Sequence, residues 1–361
     1  MSHDVYQRLA ERLDSLPNGF PGTESGAELR LLAKIFAPEE AALASVMRLS
    51  REPAEVIAER AGTDPRETFR TLKTMVRKGQ IRAGRKGGKL AFGLLPFVVG
   101  FYEEQLPRMD TELAQLFEDY FQEIRGSFVD YEPSIHRVLP VEEAIPAGID
   151  IYPFERATDL LENAKAWGVR DCICRVQRSL LGKACEHPIE NCLVFAPVAG
   201  VFDHSESTRA ISKGEALRIL REAEEAGLVH SPGNFQDGHY YICNCCTCSC
   251  GILRGMAEMG VATVVAHSSY INVVDADLCS GCEDCVDYCQ FDALSLSPAD
   301  LYIQINTTRC VGCGVCVPQC PESALSLVRR PEDEILAVPP THEDWMAQRA
   351  QARHIDLTDI L

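Results

Sequence analysis

The 361-residue chain carries 53 acidic against 35 basic side chains, a formal net charge of −18, with 46% hydrophobic residues and 17 cysteines. That length allows two or three domains, and the apolar share supports ordinary buried cores, which excludes a disordered or low-complexity chain. An odd number of cysteines in tight groups points to reduced thiols and metal ligation rather than disulfides. The longest apolar stretch, 94–101, is broken by Pro96 and Gly100 and is too short to span a bilayer. Residues 1–16 are charged throughout and lack an apolar signal-peptide core, so the expected location is the cytoplasm, without membrane insertion.

Four helices and a hairpin are predicted between residues 28 and 94. The first, 28–36, sets Leu31, Leu32 and Ile35 on one side. Pro38 opens a second that runs through Val46 and Met47, and Pro53 opens a third through Ile57. For the fourth, Asp64, Pro65 and Glu67 supply an N-cap, a first-turn proline and a third-position acid. Its expected buried face is Phe69, Leu72, Met75 and Val76, and Gly79 ends it. Short strands at 81–82 and 90–92 flank Gly87 and Gly88. This pattern resembles the winged-helix domain over roughly residues 26–94. Residues 64–90 hold nine basic and two acidic side chains. Arg66, Arg70, Lys73 and Arg77 share a face of the fourth helix, and Arg82, Arg85, Lys86 and Lys89 lie in the hairpin. The resemblance implies a DNA-reading surface there. The strongly acidic chain as a whole favours a solvated or protein-docking face instead. Segments 96–106 and 111–124 read as two more amphipathic helices. In the second, Leu113, Leu116, Phe117, Tyr120 and Phe121 form a stripe for a core or a homodimer contact.

Nine cysteines occupy the middle of the chain: Cys172, Cys174, Cys185, Cys192, Cys243, Cys245, Cys246, Cys248 and Cys250. Between them Ser212 and Glu215 cap a helix that ends at Gly227, and strands are predicted at 228–230 and 239–243. In an extended backbone residues two apart point the same way, so Cys172 and Cys174 would share a face, as would Cys246, Cys248 and Cys250. Four such thiolates suffice for a further iron–sulfur cluster, and nine for two. Structural zinc and uncoordinated thiols are the competing readings, since the spacing matches neither a zinc knuckle nor a ferredoxin loop. His187, His204, His239 and His267 are scattered, with His187 and His239 near enough to cysteines to replace one as a ligand. No dinucleotide fingerprint, phosphate loop or catalytic constellation is present in the sequence.

Two complete runs of C-x2-C-x2-C-x3-C follow: Cys279, Cys282, Cys285 and Cys289, then Cys310, Cys313, Cys316 and Cys320. A shift of 31 residues lays one run on the other, together with Gly281 on Gly312 and 293–296 on 324–327. This segment resembles the bacterial two-cluster ferredoxin over roughly residues 268–328, with Gln290 standing where the first run usually has proline. The resemblance implies two [4Fe-4S] clusters with crossed ligation, one on Cys279, Cys282, Cys285 and Cys320, the other on Cys310, Cys313, Cys316 and Cys289. A pair of zinc knuckles is the alternative for these loops. Residues 270–328 carry eight acidic side chains and one basic, Arg309.

The chain as a whole resembles ferredoxin-type iron–sulfur proteins of anaerobic metabolism. Those combine a winged-helix start, a C-x-C-R segment (here ending at Arg175) and a C-N-C-C run (here Cys243 to Cys246). The resemblance implies a multidomain α+β chain. A winged-helix and helical domain would span 1–130, a cysteine-rich α+β domain 131–265, the dicluster module 266–328 and an arm 329–361. The expected function is single-electron transfer between redox partner proteins, as a carrier or a subunit of an oxidoreductase complex. The alternatives are a redox-sensing DNA-binding regulator and an oxidoreductase subunit with a catalytic cluster in the middle domain.

Overall fold

A computed structural model describes residues 2–124, 131–149, 151–259 and 265–361. The chain forms two compact units, residues 1–132 with 346–361, and residues 133–345. The cysteine-rich and dicluster segments both fall in the second unit, and the tail is divided between the two. The expected boundary at 130 lies outside the described residues.

The first unit begins with a helix absent from the sequence prediction, α1 (Ser2–Asp14). Its charges conceal Val5, Leu9 and Leu13, which recur at helical spacing and are buried. Then come α2 (Ala27–Ile35), α3 (Pro38–Ala44), which stops short of Val46, and α4 (Ala54–Ala61). The fourth predicted helix is α5 (Pro65–Arg77), where the Asp64 side chain accepts from the amides of Arg66 at 2.9 Å and Glu67 at 3.0 Å. Leu72 and Met75 are buried, but Phe69 is 39% exposed and Thr68 takes the interior position. Phe69 lies edge-on to Phe92 with ring centroids 6.0 Å apart, which draws it onto the hairpin instead of the core.

That hairpin, β1 (Ile81–Lys86) and β2 (Lys89–Leu94), is longer than predicted. Gly87 and Gly88 have φ of 57° and 80°, the left-handed pair that a two-residue turn requires. Glu52 adds a third, one-residue strand, donating to Phe92 at 2.9 Å and accepting from it at 2.8 Å. The helix expected over 96–106 does not form: Val98 and Val99 are extended, and only α6 (Tyr102–Glu104) is helical. Phe97 and Phe101 instead enter an aromatic cluster with Phe20, so tertiary packing overrides the local pattern. In α7 (Thr111–Ile124), Leu113, Phe117, Tyr120 and Phe121 are buried within this same unit. The eight basic side chains of α5 and the hairpin are all exposed.

The second unit runs α8 (Ala157–Glu162), β3 (Ala166–Asp171), α9 (Ile173–Leu180), β4 (Glu190–Ala196), β5 (Arg209–Ile211), α10 (Lys213–Glu225), β6 (Val229–Ser231), β7 (Tyr241–Cys245) and α11 (Gly251–Met259). Its strands form one antiparallel sheet in the order β5-β3-β4-β7-β6. Leu161, Val169, Leu193, Phe195, Ile219, Leu220 and Ile242 make a core between that sheet and helices α8 and α10. Ser212 caps α10 by accepting from the Glu215 amide at 3.2 Å, and Gly227 follows the helix at φ 71°. After it come β8 (Tyr270–Val274), α12 (Asp284–Tyr288), β9 (Leu294–Leu296), β10 (Ile303–Ile305) and β11 (Leu325–Arg329). Two hairpin-like ladders result, β8 with β11 and β9 with β10, both antiparallel. The last helix, α13 (His342–Ala352), contains the boundary between the two units. No described helix is long and apolar enough to cross a membrane.

Candidate metal centres

The two ladders hold a pair of equivalent cysteine loops. Cys279, Cys282, Cys285 and Cys320 line one small recess, together with Ile303 and Leu325. The Cys285 thiol is pushed up to about 11 by burial, with Cys320 and Cys282 adding to the effect. On the other side, burial pushes the Cys313 thiol up to about 12, with the nearby Cys289 and Cys310 adding to the effect. Cys316 is raised for the same reason, beside Cys313, Cys289 and Cys310. Each group thus takes three thiols from one run and the last from the other.

The duplication extends to the hydrogen bonds. The Ala293 amide donates to Cys289 Sγ at 3.3 Å, and the Ala324 amide donates to Cys320 Sγ at 3.3 Å. Gly281 and Gly312 both sit at φ 70°, and a Cβ on Gly312 would meet the Tyr270 carbonyl at 2.0 Å. Only glycine fits that approach. The halves differ in shelter: Cys310, Cys313 and Cys316 are buried, whereas Cys282 is exposed. Asn272 adds a side-chain donor to Cys316 Sγ at 3.1 Å on the buried side. Thiols raised by burial, such as Cys285, Cys313 and Cys316, suit a positively charged centre that would stabilise their ionised form. The donor set therefore fits [4Fe-4S] clusters.

In the middle of the chain the sheet collects thiols that are far apart in sequence. Cys172 ends the stretch after β3 as the N-cap of α9, and Cys174 lies in the first turn of that helix. The two do not share an extended strand as expected, because the chain turns into a helix between them. They still meet. Cys172 contacts Cys174 and Cys192, Cys174 contacts Cys250, Cys192 contacts Cys243, and Cys245 contacts Cys243 and Cys250. Register explains part of this: Leu193 faces Ile242 across β4 and β7, which brings Cys192 beside Cys243 one step along. Hydrogen bonds donated by Cys174 and Cys192 hold the Cys172 thiol well below the usual range, with Arg175 assisting.

Cys246 and Cys248 do not join Cys250 on one face, contrary to the alternation expected of an extended chain. Residues 247–249 form a turn, and the Cys250 amide closes it onto the Cys246 carbonyl at 3.0 Å. The nine thiols consequently split six and three. Sγ of Cys185, Cys246 and Cys248 and a ring nitrogen of His187 all lie within 4.8 Å of one another. The Cys246 thiol is pushed down to about 3 by the Cys248 thiol, with His187 and Arg175 adding. Arg175 is buried and donates to the carbonyl of Pro188 at 2.8 Å, to Asn191 Oδ1 at 2.8 Å and to the carbonyl of Asn244 at 2.9 Å. His239, by contrast, stacks on Phe235 with centroids 4.6 Å apart, and His204 is exposed.

Gln290 was visible in the sequence only as a departure from pattern. Its Oε1 accepts from the Thr247 amide at 2.7 Å, and its Nε2 donates to the Gly227 carbonyl. A proline could do neither. The residue after Cys289 thereby ties the dicluster loop to the turn between Cys246 and Cys248.

Residues 278–324 match the family model described as a 4Fe-4S dicluster domain. No curated protein and no solved structure matches the chain. The chain therefore contains a ferredoxin-like iron–sulfur domain, set in a unit rich in further cysteines, and this combination supports iron–sulfur electron transfer.

Proposed function

We propose that the protein passes single electrons between a donor and a redox enzyme, as a carrier or as a subunit of an oxidoreductase complex. The observation that carries this reading is the pair of four-thiol groups, each drawn from both runs, inside the segment matched as a dicluster domain. Two [4Fe-4S] clusters would be held by Cys279, Cys282, Cys285 and Cys320, and by Cys289, Cys310, Cys313 and Cys316. A third would be held by four of the six converging thiols, Cys172, Cys174, Cys192, Cys243, Cys245 and Cys250. When bound, such clusters supply reversible one-electron chemistry. The chain's own part is to exclude water from the second group and to tune it with the Asn272 donor. Cys282, at the exposed mouth of the first group, marks the side from which a partner would exchange electrons. The exposed basic face of α5 and the wing-like hairpin would dock an acidic partner surface.

Iron and sulfide counts on anaerobically reconstituted full-length variants test the ligand assignment. Cys320→Ser should cost about four irons, the content of one cluster. Adding Cys282→Ser to it should cost no more, whereas pairing Cys282→Ser with Cys289→Ser should empty both clusters. The reverse pattern would mean that each run closes its own cluster. Failure of the reconstituted protein to take and return electrons would remove the transfer function itself.

A further inference from the structure

We propose that Cys185, His187, Cys246 and Cys248 bind a single tetrahedral zinc ion, separate from the six-thiol group and from the dicluster module. Spacing is the first argument. All four donors lie within 4.8 Å of one another. Zinc–ligand bonds of about 2.0–2.3 Å place tetrahedral donors roughly 3.6–3.8 Å apart. Cys248 Sγ stands 3.6 Å from His187 Nδ1, at that separation. A four-iron cube would hold each sulfur on a different iron and spread the donors more widely.

Ligand chemistry is the second argument. Three soft thiolates with one imidazole, and no carboxylate among them, are a donor set that selects zinc. Four protein ligands also close the coordination shell, which marks a structural rather than a catalytic ion.

Charge and surroundings supply the third. Three thiolates around a divalent ion leave one net negative charge, and Arg175, buried beside both Cys172 and Cys246, supplies positive charge at the edge of this quartet. Its bond to the Pro188 carbonyl pins the residue that follows His187. The Ser249 hydroxyl lies 3.4 Å from Cys185 Sγ, where it can donate to a ligand sulfur. The ligands come from the loop after α9 and from the turn after β7. Those same segments adjoin Cys174 and Cys250 of the six-thiol group. The ion would fix the two loops against each other without itself taking part in redox chemistry, so this inference stands whether or not electrons pass through the dicluster module.

The test uses full-length protein purified without oxygen, with zinc and iron measured together. One zinc per chain is expected. His187→Ala and Cys248→Ser should each abolish it while the iron content stays unchanged. His187→Cys should keep the zinc, which separates loss of a ligand from failure to fold. Protein produced in cobalt-supplemented, zinc-poor medium should show the intense visible bands of a tetrahedral, thiolate-bound Co(II). Those bands should disappear in Cys248→Ser and shift in His187→Cys. Zinc that persists in Cys248→Ser, or loss of zinc in His187→Cys, overturns the proposal. Loss of iron and sulfide in equal amounts from Cys248→Ser would also overturn it, because the quartet would then be a cluster site.

Discussion

The second unit assembles thiols by two different methods. In the dicluster segment each group of four comes from short loops repeated at a fixed interval, and the two small ladders only hold those loops together. In the middle segment the six thiols arrive from β4, β7, the start of α9 and the turn after β7. One arrangement depends on local spacing, the other on the register of a five-stranded sheet. A locally encoded site should survive damage to its neighbours, whereas a site assembled by a sheet should fail when the sheet loosens.

The largest effect should come from removing thiols of the sheet-built group. Cys174→Ala combined with Cys250→Ala should release the iron held beyond the dicluster module, about four atoms, while the reduced-state signals of the dicluster remain. Loss of both sets together would erase the distinction between a local and a sheet-dependent site.

Acid should separate the two regions more gradually. Burial lowers the pKa of His136 to about 4 from 6.5, so the folded state keeps it neutral. The unfolded chain binds a proton that the folded one refuses, and stability falls as pH drops from about 6.5 towards 4. The gap corresponds to about 3 kcal/mol at full effect. His136 lies against Tyr241 of β7, with ring centroids 5.7 Å apart, whereas residues 270–328 contain no histidine. Thermal unfolding followed between pH 4 and 7 should therefore lose less stability in His136→Gln than in the native chain. An unchanged slope would remove His136 as the acid-sensitive group.

A smaller effect is expected at the junction between the two regions. Gln290→Ala leaves the Thr247 amide and the Gly227 carbonyl without their partner, a cost of about 1–3 kcal/mol. Denaturant midpoints should fall accordingly, with the iron content of the dicluster unchanged. A variant as stable as the native chain would show that the two cysteine regions are held together by other contacts.

The same contrast explains what could be read from the sequence. The dicluster segment was legible because the spacing of its cysteines marks it, and Asp64, Ser212 and the paired glycines at 87 and 88 announced their helices and turn by local chemistry. The partition of the middle thiols was not legible. Alternation along an extended strand was the wrong rule for Cys172 with Cys174 and for Cys246 with Cys250, since a helix start and a turn intervene. The place of His187 beside Cys248 depends on two loops meeting across 61 residues of chain. Phe69 and the broken segment 96–106 failed for a related reason: aromatic packing partners distant in sequence decided their conformation.

The first unit is made from both sides of the second. Leu49 donates its amide to the Ile360 carbonyl at 2.8 Å, Arg12 donates to the Asp359 carbonyl at 2.8 Å, and Arg349 donates to the Pro17 carbonyl at 2.9 Å. During synthesis the amino-terminal helices therefore emerge long before the segment that completes them. Residues 133–345, which hold all 17 cysteines, are translated in that interval. The amino-terminal helices thus cannot make these three contacts until residues 346–361 have been synthesised.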